Sequence, residues 1–437
     1  MELLTGRIRP LYFKYLVAAS GSAMVASIFG MVDAMMVGRY HGPTGTAALA
    51  VFSPLWSIIF CLGLLSGIGG SVLFANHRGS GNEAEAQQYF TLSVLFGIGL
   101  SAVAMALIGW FQDPLFRLFG ADEQLLAMAK LYLKPIWFAI PCCVFSNILS
   151  AYLRNDNDPN LATCAVMIGG IFNCVGDYVC VFALDMGILG AGLATAIGQG
   201  IGILIMLTHF FRKKNTLRFV RIHLPLRKLG QISVTGFSTA VTDLAMGIIG
   251  ILFNRQIMRY LGADALAVYG VITMVTAFAQ CLAYGTGQAA QPIISQNYGA
   301  GQTGRIRQCT KYGLLTSAAM GLCWTAVMLL LPRTLLSLFM TPTPQVLQIA
   351  PSILRAYGIS YALLPFNIFA TYYFQSLMRS RISLIASLAR GAVLSGGLIL
   401  ALPVLLGADS LWYAMLLTEL LVAAYGIWHM IRCDRSL

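Results

Sequence analysis

Charge is scarce in this sequence of 437 residues, since only 10% of them are Asp, Glu, Lys or Arg while 58% are hydrophobic. A soluble protein carries about 25% charged residues, because its surface has to face water. The mean hydropathy of +0.76 points the same way. The scarcity of charge excludes a soluble globular protein, and the net charge of +12 therefore needs an explanation other than nucleic-acid binding.

The sequence also lacks the short motifs of common catalytic and nucleotide-binding sites. It contains no HExxH, no GxSxG and no GxxxxGK[ST] segment. All ten cysteines lie within or beside apolar stretches, so we expect small buried hydrophobes rather than disulfides. The five histidines lie in loops or at helix ends, which argues against a metal site. We predict a protein that is not an enzyme, that needs no cofactor and that binds no metal other than Na⁺.

Apolar stretches long enough to cross a bilayer recur along nearly the whole chain. A helix needs about 20 apolar residues to span about 30 Å of hydrocarbon. Breaks at glycine, proline and clusters of charge predict an all-α membrane protein with twelve transmembrane helices. Their predicted ranges are 11–38, 47–75, 89–111, 131–153, 161–183, 187–211, 230–257, 264–291, 312–332, 350–378, 382–405 and 409–431.

Lys and Arg are distributed unevenly between the two sides of these helices. With the N-terminus in the cytoplasm, nineteen of them fall on the inner side and seven on the outer side, while Arg255 and Arg390 lie within helices. By the positive-inside rule, this bias predicts that both termini are cytoplasmic. The richest basic segment, 212–228, follows the sixth helix, and we predict that it anchors the topology and contacts anionic headgroups.

An internal repeat divides the chain into two halves. MVGRYHG and SGIGGSVLFANHRGSG in the first half correspond to QIMRYLG and GTGQAAQPIISQNYGAG in the second, with Tyr40 and Tyr260 220 residues apart. Six helices per half give both halves one orientation, as in transporters built from two parallel repeats. We predict two pseudo-symmetric six-helix lobes around a central cavity. The predicted ranges are 1–211 for the N-terminal lobe, 212–229 for a cytoplasmic basic linker and 230–437 for the C-terminal lobe.

Beyond the first residue of each predicted helix, only four of the sixteen acidic residues fall within the helices, where an ionised carboxylate is costly unless it is paired, hydrated or protonated. From the rise of about 1.5 Å per residue, Asp33 and Asp177 both lie in the outer half of the membrane. Thr195 shares their depth, and Asn173 lies one helical turn before Asp177. These four residues predict an oxygen-rich pocket for a proton or Na⁺. The alternative is structural, with Asp33 in interfacial water and Asp177 bonded to Asn or Thr.

The other two acids, Asp243 and Glu419, are predicted near the membrane midplane. At this depth they are candidates for contact with a cationic substrate or for relaying protons. The competing interpretation is a neutral carboxylic acid that is hydrogen-bonded between helices. Both interpretations stay open at this point.

An ordered series of segments resembles the multidrug and toxic compound extrusion (MATE) family of the bacterial type. The segments are VDAMMVG at 32–38, GGSVLFANHRGSGNEAEA at 69–86, LRNDNDPNLA at 153–162, MGILGAGLATAIGQ at 186–199 and QPIISQNYGAG at 291–301. The resemblance implies twelve helices in two lobes and a cation site on Asp33, Asn173, Asp177 and Thr195. Relatives often carry an acid where this chain has Asp243. Because 350–378 contains no acid, a complete cation site in the C-terminal lobe is not expected.

The resemblance implies a secondary active multidrug efflux antiporter that works by alternating access, driven by H⁺ or Na⁺. Its expected partners are cationic or amphipathic small molecules and membrane lipids, without nucleic acid, and we expect a monomer in the cell (inner) membrane. The alternative is a flippase for lipids or lipid-linked saccharides with related two-lobe architecture. Such cavities tend to be lined with several Arg or Lys, whereas here only Arg255 and Arg390 lie within helices once the basic residues assigned to loops and their edges are set aside. The scarcity of basic residues favours cationic cargo.

Overall fold

The computed structural model describes residues 2–223, 225–340 and 343–436, except for the side chains of Pro43, Asp243, Leu244, Met246 and Ser436. Within these ranges the chain forms helices and turns and no strand. Twelve of the described helices are long and apolar enough to cross a membrane. They are α1 Ile8–Gly42, α2 Thr44–Gly79, α3 Glu83–Leu118, α4 Glu123–Asn155, α5 Pro159–Ala183, α6 Gly187–Phe211, α7 Pro225–Tyr260, α8 Ala263–Gly299, α9 Thr303–Leu330, α10 Pro344–Ser376, α11 Ser380–Leu406 and α12 Ala408–Arg435. Short helices at Glu2–Thr5 and Pro332–Phe339 precede α1 and α10.

The twelve predicted helices correspond one to one to α1–α12, so the predicted fold class is confirmed. Most helices extend beyond the predicted ranges, because hydropathy does not detect the polar residues that continue a helix past its apolar stretch. The helix α3 begins at Glu83, where Asn82 caps it by accepting a hydrogen bond from the Glu85 N–H at 3.2 Å. The predicted ends at 332 and 378 are two residues too late, since α9 ends at 330 and α10 at 376.

The internal repeat is visible in matching breaks between helices. Gly42, with φ of 64°, separates α1 from α2, and Gly262, with φ of 83°, separates α7 from α8. Gly81 and Gly301 have positive φ after α2 and α8. Glycine adopts this left-handed conformation without the steric cost that a Cβ brings. The two halves thus share the positions at which their first three helices are divided.

The chain separates into two compact units. The first contains Gly21–Ala240 with the N-terminal residues up to Gly6, and the second contains Arg7–Ser20 with the chain from Val241 onwards. These units divide the chain at other points than the predicted lobes, because α1 and α7 each contribute to both. The predicted linker end at 229 lies inside α7, which begins at Pro225.

Polar and apolar side chains are distributed as in a protein surrounded by lipid. Large apolar side chains along the helices are exposed, such as Val17 at 72% and Val404 at 70%. Small polar side chains such as Ser66, Ser71 and Thr286 are buried. This pattern places apolar side chains against hydrocarbon and polar ones between helices.

A buried network of charged side chains joins α2, the turn between α4 and α5, and the end of α6. Asp156, in that turn, accepts a hydrogen bond from Arg78 Nη1 at 2.8 Å and lies 2.8 Å from Nε2 of His209. The backbone N–H of Thr216 also donates to Asp156, at 2.8 Å. On the other side of the imidazole, Asp158 lies 3.2 Å from Nδ1 of His209. The network holds the beginning of the linker against the first unit.

The rest of the linker lies along the first turns of α3, where side chains accept hydrogen bonds from its backbone. The bonds run from Arg218 to Gln87 at 2.8 Å, from Val220 to Thr91 at 3.0 Å and from His223 to Gln88 at 3.0 Å. Extended backbone without such partners would be costly once shielded from water. The segment is therefore a structural part of the first unit, and contact with headgroups stays a prediction.

Candidate cation site

Asp33 lies in α1 and is buried, with an exposed fraction of 8%. Its Oδ2 accepts a hydrogen bond from the hydroxyl of Tyr132 in α4 at 2.6 Å. Its Oδ1 is buried and has no hydrogen-bond partner among the described residues. The carboxyl is thus held between two helices, and the alternative of an acid in interfacial water does not describe it.

Asp177 lies in α5 with an exposed fraction of 0%, and neither of its carboxyl oxygens has a hydrogen-bond partner among the described residues. It is the last residue before a π-helical turn, Tyr178–Ala183, and such turns are frequent at functional sites. Asp33 lies close enough to interact with it electrostatically. A buried carboxyl without partners is costly unless it is protonated or binds a cation.

Asn173 and Thr195 meet across the contact between α5 and α6. The Asn173 amide nitrogen donates to the Thr195 hydroxyl at 3.2 Å. The two helices approach closely because of Gly169 and Gly198, where a Cβ on either glycine would lie 2.6 Å from the carbonyl oxygen of the other. Glycines at this contact therefore position the amide and the hydroxyl beside the acids.

Tyr132 also belongs to the site, although the sequence alone did not predict it. Its buried hydroxyl donates to Asp33, and the phenol also lies near Thr195 and Asp177. Its ring packs edge-on against Phe52, with centroids 4.7 Å apart. Hydropathy predicts that this helix starts at 131, which would leave Tyr132 at the membrane interface. In the structure the helix starts at Glu123, so Tyr132 lies farther from the helix end and deeper in the membrane than hydropathy predicts.

Hydrogen bonds join the end of α1 to the residues between α5 and α6 and to the start of α6. These contacts lie within about ten residues of Asp33 and Asp177 in the sequence. Tyr40 donates a hydrogen bond to Asp185 at 2.5 Å, and the N–H of Ile188 donates to Nε2 of His41 at 3.0 Å. Asp185 adopts a positive φ of 53°, which few residues other than glycine do. The helices that carry Asp33 and Asp177 are thereby joined at this end.

The chemistry of the site suits a proton or a hard cation. Two carboxyl groups, one amide and two hydroxyl groups converge there from four helices, and three of the carboxyl oxygens lack a hydrogen-bond partner among the described residues. Na⁺ and similar hard cations prefer oxygen ligands, and burial favours a protonated carboxyl. The donor set therefore fits either ion.

The roles predicted for the two midplane acids both stay predictions, and of their two side chains the structure describes that of Glu419. Asp243 lies in α7, but its side chain is outside the described residues, so its role stays a prediction. Glu419 in α12 is buried at 0% exposed, and its Oε1 lies 2.8 Å from Nε of Arg390 in α11. Its Oε2 accepts a hydrogen bond from the amide of Asn367 in α10 at 2.5 Å. The sequence alone does not predict this ion pair, because its two residues lie on different helices.

Comparison with known proteins places these residues in a family. The MatE family model matches residues 19–179 and 238–396. The multidrug export protein MepA of Staphylococcus haemolyticus (strain JCSC1435) is 23% identical over 403 residues, which cover 92% of this chain and 88% of that protein. MepA of Staphylococcus aureus (strain MSSA476) is 22% identical over 405 residues, with the same coverage.

Solved structures share the fold over the full length. An outward-facing multidrug resistance MATE family transporter of the MOP superfamily has a TM-score of 0.92 and 21% identity, and the match covers 100% of this chain and 98% of that one. A MOP superfamily transporter from Pyrococcus furiosus, described as having a binding pocket of reverse polarity, has a TM-score of 0.89 and 23% identity over 99% and 97% of the two chains.

The family match covers both halves of the internal repeat and both halves of the fold. It confirms the resemblance noted in the sequence segments, and the related proteins are transporters rather than enzymes. The chain therefore belongs to the MatE family of multi-pass membrane transporters.

Proposed function

We propose that this protein exports cationic or amphipathic small molecules in exchange for H⁺ or Na⁺. The observation that carries the proposal is the pair of buried carboxyl groups, Asp33 and Asp177, which interact electrostatically and leave three oxygens without hydrogen bonds among the described residues. Two ionised carboxylates in such surroundings would repel each other, and one bound cation would relieve the repulsion. The MepA relatives, which are multidrug export proteins, support the choice of cargo.

The cation acts in this proposal by changing how α1 packs against α4 and α5. Among the described residues, Tyr132 is the one hydrogen-bond donor to the Asp33 carboxyl. A bound cation would be coordinated by Asp33 of α1 and by Asp177 of α5, and so would join the two helices. Ion binding then favours one of the two states of an alternating-access cycle, by the difference between its affinities for them. The cargo leaves in the state that the ion stabilises.

We place the protein in the cell (inner) membrane with both termini in the cytoplasm. This orientation is supported by the excess of Lys and Arg in the loops on the same side of the membrane as the two termini. We further propose that it works as a monomer, because every residue of the candidate cation site belongs to one unit of one chain.

Ethidium efflux from proteoliposomes tests the function directly. Vesicles loaded with ethidium receive either a pH gradient or a Na⁺ gradient of the same size, at matched membrane potential. We expect one of the two gradients to accelerate efflux at least tenfold, with rates that saturate and reverse when the gradient is inverted. An efflux rate that depends on neither gradient would contradict ion coupling. Translocation of a fluorescent lipid in the same vesicles would instead support the flippase alternative.

Replacing Tyr132 with Phe should slow coupled efflux by about 10- to 100-fold. The phenol donates to a buried carboxyl, and a hydrogen bond to a charged group is worth about 1.5–3 kcal/mol, where 1.4 kcal/mol corresponds to a factor of ten. Without it, the ionised form of Asp33 is less stable and the site releases its ion less readily. The measurement is the initial efflux rate under the driving gradient.

Tyr152→Phe is the matched control, since Tyr152 is a buried tyrosine of the same unit that donates to Ser93 at 2.8 Å. It should leave the ion dependence of efflux unchanged. Equal losses in the two variants would show that the effect of Tyr132 is one of packing.

A further inference from the structure

The second unit has an ionisable centre of its own, built around Arg390 and Glu419. Both side chains are buried, with side-chain exposures of 4% and 0%, and they form an ion pair at 2.8 Å. Asn367 donates to Glu419 twice, at 2.5 Å to Oε2 and at 2.9 Å to the backbone carbonyl oxygen. Both carboxyl oxygens therefore have protein partners, in contrast to those of Asp177 in the first unit.

The pair lies deep in the helices that carry it. Arg390 follows the start of α11 at Ser380 by about 15 Å, and Glu419 follows the start of α12 at Ala408 by a similar length, each near the middle of its helix. Charged side chains at this depth are rare, and they mark pathways for ions or substrates unless they pair with each other.

The fifth helix of each half contains a π-helical turn, which lies at the end of α5 and in the middle of α11. In α5 the turn Tyr178–Ala183 follows Asp177, and in α11 the turn Ala389–Val393 contains Arg390. An inserted turn of this kind re-aims the neighbouring side chains and is common at functional sites. The first half therefore presents an acid at this turn, and the second half presents a base.

We propose that Arg390 is a built-in counter-ion that neutralises Glu419 and so prevents the second unit from binding a coupling ion or a positive charge of the cargo. The inference rests on the proposed function. An arginine keeps its proton in proteins, so Glu419 has a permanent positive partner. Coupling is then confined to Asp33 and Asp177, and Arg390 sets how many ions are exchanged per molecule of cargo.

Other groups near the pair are included in the test. Tyr284 of α8 and Tyr357 of α10 lie near Arg390. Gly391 lies directly against Val241 and Ala245 of α7. Asp243 lies between those two residues in the sequence. Every measurement is therefore repeated in the Asp243→Asn background, where its carboxyl cannot contribute to the number of ions linked to ethidium binding.

The test counts the ions that ethidium displaces when it binds to the full chain in detergent. The ethidium Kd is measured against pH and against Na⁺ concentration, since the slope of the logarithm gives the number of linked ions. We expect R390Q to displace about one additional ion relative to the wild type. We expect R390Q/E419Q and R390K to match the wild type, because neither leaves a free carboxylate.

Two results would overturn the proposal. One is a folded R390Q protein with the ion dependence of the wild type, and the other is a folded R390Q/E419Q protein that has lost this dependence. Folding is checked by size-exclusion chromatography and thermal melting. If R390Q does not fold, the double variant still decides, because retained ion dependence supports the proposal and lost dependence refutes it.

Failure of the proposed function gives a different result. Ethidium binding by the wild type would then be independent of both ions. A new ion dependence in R390Q would still assign to Arg390 the role of a counter-ion.

Discussion

Replacement of Asp33 with Asn is expected to reduce ion-coupled efflux by more than 100-fold while the protein stays folded. The amide has the shape of the carboxyl and still accepts the hydrogen bond from Tyr132 that Asp33 accepts at 2.6 Å. It cannot take up a proton, and it lacks the negative charge that attracts Na⁺. Without ion binding, the gradient no longer biases the transport cycle.

The measurement is ethidium efflux from proteoliposomes under the gradient that drives the wild type. Asp113→Asn is the matched control, since Asp113 is a half-exposed acid of the same unit that pairs with Lys130 at 2.5 Å. Its efflux should stay within about fivefold of the wild type, because exposed pairs contribute at most about 1 kcal/mol. Coupled efflux by Asp33→Asn at the wild-type rate would refute the role of this site.

Replacement of Asp156 with Ala is expected to lower the free energy of unfolding by about 3–5 kcal/mol. The substitution leaves Arg78 and His209, both buried, without the carboxylate that they contact at 2.8 Å. It also removes the acceptor for the N–H of Thr216, a residue of the linker. The expected fall in Tm is about 3–5 °C, because the entropy of unfolding is about 2.1 cal/mol/K per residue and the chain has 437 residues. It is measured by thermal melting in detergent.

The contribution of Asp156 should also depend on pH in a defined direction. Burial disfavours its charged form, but hydrogen bonds from His209, Thr216 and Arg78 outweigh burial and hold the pKa of Asp156 below its ordinary value. A lowered pKa in the folded state means stabilisation that is complete above about pH 4, the range of an unfolded Asp, and that is lost as pH falls through the folded pKa. Below pH 4 the Tm of the wild type should therefore fall more steeply than that of Asp156→Asn.

Asp434→Ala serves as the comparison for stability, because Asp434 pairs with Arg307 at 2.7 Å with both side chains about half exposed. Its loss should cost at most about 1 kcal/mol. If Asp156→Ala melted at the temperature of the wild type, the buried network would contribute nothing to the fold.

Hydropathy and the repeat determined the twelve helices, because a bilayer imposes a minimum length of apolar residues on every crossing. The acids were found in the same way. Asp33, Asp177 and Glu419 are conspicuous in apolar helices, and the helical rise places Asp33 and Asp177 at one depth. These properties depend on residues that are near one another in the chain or on the thickness of the membrane.

Only the tertiary structure decided which side chains meet. Tyr132 carries no charge, and its role depends on α4 beginning at Glu123, which a polar first turn hides from hydropathy. Arg390 and Glu419 lie on different helices, and their partnership follows from how α11 packs against α12. A carboxyl looks the same in the sequence whether it is open to a cation or neutralised by an arginine. Long-range packing determines which of the two it is, since it sets the distance between the charges.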